Sequence, residues 1–115
     1  MLQVETETQM SIYDSMIELR DTSIKSKQHA EEFLNRHPIE KQKALLSIVL
    51  LGRAHLDHQK LRDDVPISTE MVAQVPLEEY PDKIYAIRNS VEKYINQIMF
   101  CAHNSNFNLD NIEIT

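Results

Sequence analysis

A single glycine, Gly52, serves all 115 residues. Phosphate-cradling loops and dinucleotide fingerprints need several glycines for close backbone approach, so neither can exist here. A nucleophile elbow of the form Gly-x-Ser-x-Gly is excluded for the same reason. Cysteine is equally scarce. Cys101 stands alone, which rules out an internal disulfide and the zinc-finger spacings, and points to a reducing, cytoplasmic compartment. Tryptophan is missing and only seven residues are Tyr or Phe, too few for a base-stacking platform. No signal peptide, transit peptide or membrane span is visible. Positive charge is in short supply too. Twelve Lys and Arg stand against eighteen Asp and Glu, and a net charge of −6 argues against broad nucleic-acid binding.

What is present is a chain of ordinary globular composition, 42% hydrophobic and 26% charged, at a length that suits one domain. The stretch Pro38 to Leu56 organises it. Within it, Ala44 to Leu51 reads ALLSIVLL, with no charge and one hydroxyl. On a helix these residues are apolar on every face, the mark of an element buried all round. The run cannot span a bilayer, which takes roughly 20 apolar residues. Periodicity alone also allows a buried strand. The flanks favour a helix: Pro38 near the first position, Glu40 in the first turn, and Gln42, Lys43 and Ala44 as good formers.

Upstream, Ile12, Met16 and Leu19 share one helical face, and a second stripe runs from Ile24 through Ala30, Phe33 and Leu34. One helix over 10–36, kinked near the cap-like Asp21-Thr22-Ser23, is preferred to two. Downstream, Ser68 looks like the N-cap of a short helix, and Pro76 and Pro81 bracket LEEY. From Pro81 the pattern is the clearest in the chain. Ile84, Ile87, Val91, Tyr94, Ile98 and Cys101 step by three, four, three, four and three, an a/d seam on a helix over 81–103. Packing against the central helix explains the seam. A homodimer or protein-partner surface built on Ile84, Ile87, Val91, Tyr94 and Ile98 is the sharper alternative. Residues 1–9 and 104–115 read as flexible or strand-like ends, with the option of pairing into a minor β element. The expected fold is an all-α bundle of three long helices (10–36, 38–56 with an extension to 62, and 81–103) and one or two short ones.

The densest polar constellation follows the apolar run: Arg53, His55, Asp57, His58, Lys60, Arg62, Asp63 and Asp64. His55 and His58 are three apart, so a helix would put both rings on one face, and with Asp57 they make a candidate metal site. The plainer reading is solvated or helix-capping histidines. Arg53 and His58 also satisfy Arg-x4-His, a spacing that resembles the minimal motif of the HEPN helical nucleases, small α-bundles that cleave RNA and commonly act as dimers. That resemblance implies phosphate and transition-state stabilisation by Arg53 and acid–base work by His58. The segments LLSIVLLGRAHLD and VAQVPLEEYPDKI, from Ala44 to Ile84, resemble a small bacterial helical domain family of uncharacterised function, which implies a helical fold and no particular activity. On the residues themselves, the chain is expected to be a non-enzymatic, cofactor-free interaction module for a protein partner or its own copy, with the small ribonuclease as the alternative.

Overall fold

The structure, a computed structural model, describes residues 11–115. The described chain is all α, as its sequence leads one to expect. Five helices follow in order: α1 (Ile12–Asp21), α2 (Lys27–Asn35), α3 (Ile39–Ala54), α4 (Tyr80–Ala86) and α5 (Val91–Asn104). Single 3-10 turns stand at Thr69–Val72, Leu77–Glu79 and Leu109–Asn111.

α3 is the axis. Leu45, Leu46, Ile48, Val49 and Leu51 are wholly buried, and so is Ser47, so over this run only Leu50 is partly exposed. Each fully buried Leu, Ile or Val contributes about 1.5–3 kcal/mol. α5 crosses α3 more extensively than any other element, and α1 and the turn Thr69–Val72 close the remaining sides. The crossing is close because of Gly52. It is an ordinary helical residue, not a left-handed cap, and a Cβ placed on it would collide with the Tyr94 carbonyl. Its role is close packing.

Two of the three long helices expected from sequence are broken. The span 10–36 is two helices, not one. Thr22 turns extended, and its Oγ1 donates to the Glu18 carbonyl at 2.6 Å, closing α1 from its own last turn. Ser26 restarts the chain, its hydroxyl accepting from the His29 amide at 3.0 Å. Between them Ile24 drops into the core. A continuous helix could not bury Ile24 and still reverse direction to pack α2 against α4. The span 81–103 is likewise interrupted at 87–90, where Ser90 N–H donates to the Ile87 carbonyl at 2.8 Å. Asn89 and Ser90, poor helix formers, occupy the break. α3 ends at Ala54 and does not extend to 62.

The C-terminal end is docked rather than loose. Leu109 is fully buried and Ile112 nearly so. Asp110 receives the Ser11 hydroxyl at 2.9 Å and the Ile12 amide at 2.6 Å, capping α1, and the Leu109 amide donates to Tyr13 OH at 2.9 Å. Its strand character amounts to one parallel bridge between Glu113 and Ser68. The pairing expected between the two chain ends involves residues 1–9, which lie outside the described residues. Among the described residues, no helix is long and apolar enough to cross a membrane.

Candidate functional site

The polar constellation after α3 folds into a strap, and His55 is its pivot. The ring is completely buried. Its Nδ1 lies 2.7 Å from the Leu51 carbonyl, and its Nε2 lies 3.0 Å from the Arg62 amide nitrogen. A carbonyl can only accept and an amide N–H can only donate, so the ring is neutral, protonated on Nδ1, with Nε2 as acceptor. The side chain thereby closes the last turn of α3 and fixes the chain seven residues later. Arg62 reinforces the closure. Its Nη1 donates to the Ala54 carbonyl at 3.2 Å, and its fork grips Asp64 at 2.9 and 2.7 Å. The Arg62 guanidinium holds the Asp64 carboxyl below the ordinary carboxylate range.

α5 supplies the other half. Gln97 donates from Nε2 to the carbonyls of His55 (2.8 Å) and His58 (2.6 Å). The Cys101 thiol donates to the His58 carbonyl at 3.3 Å, Asn104 donates to the Gln59 carbonyl at 2.7 Å, and the Ser105 hydroxyl accepts from the Leu61 amide at 2.9 Å. Positions 97, 101 and 104 step by four and three, so they form one stripe on the helix. Burial pushes the Cys101 thiol up, which keeps it protonated and a donor rather than a nucleophile.

This geometry sorts the residues singled out in the sequence. His55 has no free nitrogen to offer a metal, so the trio His55, Asp57 and His58 is not a ligand set. Among the described residues no group of three or more His, Cys, Asp or Glu is placed to hold an ion. Asp57 and His58 are exposed, and the His58 ring stands edge-on to His55 at 5.8 Å. Arg53 is exposed on the last turn of α3. Arg53 and His58 make no side-chain hydrogen bond among the described residues. An open trough of about 540 Å3 over His58 to Asp64 is lined by that one segment, with no convergent groups from a second element.

The a/d seam is divided. Ile84, Val91 and Ile98 are 0%, 4% and 0% exposed, inside this chain's own core, while Ile87 and Tyr94 sit half-buried at its margin. The large apolar side chains that do face solvent lie elsewhere: Ile39, Met71, Leu77, Phe100 and Ile114. Ile114 borders a trough of about 250 Å3 with Ile12, Pro38, Ala44 and Ile112 and the charged Glu40, Lys41 and Asp110, and Ile39 follows Pro38 in the chain. Glu113 spends its amide and carbonyl on Ile67 and Thr69, so the Ile112 carbonyl and Ile114 amide have no partner among the described residues.

The residues that sequence reasoning missed are Gln97, Asn104, Ser105 and the amide of Arg62. The available signal was Gln97, Cys101 and Asn104 at helical spacing beside the apolar seam of the same helix. Compared with family models, curated proteins and solved structures, the chain matches none.

Proposed function

We propose that this chain is a non-enzymatic interaction module, cytoplasmic and free of cofactors, that binds a protein partner or pairs with its own copy as a homodimer. One observation carries the reading. His55, Arg62 and Cys101 are consumed in holding the fold, while the exposed Ile39 and Ile114 stand by a trough lined by Ile12, Ala44 and Ile112 together with Glu40, Lys41 and Asp110, and the Ile112 carbonyl and Ile114 amide beside it have no partner among the described residues. Such an edge can accept an added strand. The buried seam residues Ile84, Val91 and Ile98 are not the contact surface in this reading. The Ile39–Ile114 patch is. Native mass spectrometry of protein recovered gently from its host tests it. The wild type should appear as a dimer or with a bound protein, and an Ile39→Asp, Ile114→Asp variant should be a folded, unaccompanied monomer. A wild-type monomer with nothing attached, or a variant that keeps its partner, sinks the proposal.

A second reading keeps the small ribonuclease. Arg53 and His58 are exposed and their side chains make no hydrogen bond among the described residues, which suits a phosphate-binding fork and a proton-transfer imidazole. Arg53→Ala and His58→Ala should then each abolish RNA cleavage with unchanged circular dichroism. Cleavage that survives both substitutions, or is never seen in the wild type, removes it.

A further inference from the structure

The two helix breaks, at Thr22 and at 87–90, face each other across a cavity of about 270 Å3. Leu19, Ile24 and Val91 supply its apolar lining, and Arg20, Thr22, Ser23, Arg88, Asn89 and Glu92 its polar lining. The two arginines come from different parts of the chain and are each held in place. Arg20, at the end of α1, donates through Nη1 to Asn96 Oδ1 and through Nε to Asp21, both at 3.1 Å. Arg88, in the link before α5, lies 3.9 Å over the Tyr85 ring and donates through Nη1 to the Tyr85 carbonyl at 2.8 Å. Arg88 makes no ion pair among the described residues, although the chain carries an excess of acid. A guanidinium has five N–H donors, so these contacts fix each fork and leave donors unspent. Ser23 and Asn89 add a hydroxyl and an amide with no side-chain partner among the described residues.

We infer that this cavity binds a small oxyanion of the phosphate class, with Arg88 as the principal contact and Arg20 opposite. A planar fork suits a tetrahedral oxyanion better than a point charge does. Glu92 sets the affinity from the other direction. Its carboxylate has no cationic partner among the described residues and opposes an incoming anion, so it weakens the site and confines it to ligands that satisfy both arginines. The site is independent of the interaction patch, which lies around Ile39 and Ile114.

The test is titration of the full chain with inorganic phosphate at constant ionic strength, followed by amide NMR shifts. Saturable shifts confined to residues 19–24 and 88–92 are expected, with chloride producing none. Arg88→Ala should weaken binding about tenfold, since it removes a charge-assisted contact. Arg88→Lys should also bind more weakly than wild type, because it keeps the charge but loses the fork, and Glu92→Gln should bind more tightly. Methyl phosphate as a second probe separates a site for the free ion from one that takes a phosphoryl group on a larger molecule: rejection of the ester assigns the free ion, and equal binding assigns the phosphoryl group. Shifts that do not saturate, that chloride reproduces, or that are the same in Arg88→Ala would overturn the assignment. Arg88 is exposed, so its variants are expected to fold.

Discussion

α5 meets its neighbours in two unlike ways. Along one face Val91, Ile95, Ile98 and Ala102 are buried in the core, and the helix passes α3 so closely that Gly52 touches the Tyr94 carbonyl. Along the adjoining stripe Gln97, Cys101 and Asn104 hold the strap that follows α3 through hydrogen bonds to its backbone. The first contact is non-directional and scales with buried area. The second is directional, and each bond adds only about 0.5–1.5 kcal/mol net. Its importance lies in what its loss leaves behind, since a buried carbonyl or amide without a partner costs about 1–3 kcal/mol. The apolar face therefore sets whether the chain folds, and the polar stripe sets where one loop lies.

Substitution can separate the two. Ile98→Glu should give no folded protein by circular dichroism, because a carboxyl in the core must be neutralised or left unpaired while the Ile98 packing is lost, which together consume most of the roughly 5–15 kcal/mol that holds a domain together. Ile87→Glu, at the half-buried margin of the same seam, should fold and lose only about 1 kcal/mol in urea. Equal outcomes would mean that the seam is one surface rather than core and margin. Gly52→Ala comes next. The added methyl meets backbone rather than a flexible side chain, so the helices must separate, at a cost of about 3 kcal/mol by urea unfolding. A neutral Gly52→Ala would show that the crossing is looser than the structure has it.

The same contrast explains what could be read from the sequence. ALLSIVLL announces a buried helix because burial all round needs no knowledge of partners. Ile84, Val91 and Ile98 were legible as core for the same reason, even though the helix carrying them is broken. The break at 87–90 was hidden because no Gly or Pro marks it, and the a/d spacing continues across it. The break at Thr22 was visible as a cap signal but lost to the longer apolar stripe. The strap was illegible. The partners of His55 are a backbone amide seven residues on and a glutamine amide 42 residues away, and backbone groups leave no trace in a residue pattern. Thus Arg53, His55, Asp57 and His58 looked like one cluster, although folding buries the first histidine and exposes the other three.

His55→Phe keeps the ring's bulk and removes both of its bonds. The variant should lose about 2 kcal/mol, from the orphaned Leu51 carbonyl and Arg62 amide. It should also be nicked by trypsin at Lys60 faster than wild type while α3 and α5 stay protected. Gln97→Met is the milder case. A loss of about 1 kcal/mol is expected, with faster amide exchange confined to residues 58–62. If exchange quickened across α5 as well, the strap would be part of the core and the distinction between the two contacts would fail.

The smallest effect comes from setting His55 beside the chain's other largely buried histidine. His55 has both nitrogens satisfied. His37 is only 8% exposed in its side chain, and its Nε2 has no hydrogen bond among the described residues, with Glu18 Oε1 at 3.9 Å. Burial holds the His37 pKa below its ordinary value of 6.5, with Lys41 and Arg36 acting in the same direction and Glu18 opposing them. The unfolded chain therefore binds this proton more readily than the folded one. The stability His37 contributes is present above about pH 6.5 and is lost as pH falls toward the lower folded value, below which the loss levels off. His37→Gln should flatten that part of the stability–pH curve relative to wild type in urea unfolding at matched ionic strength. Glu18→Gln removes the one group that favours the imidazolium, so the ring of His37 should titrate at still lower pH by NMR. An unchanged or higher value would mean that Glu18 does not face the ring in solution, and that His37 finds a partner as His55 does.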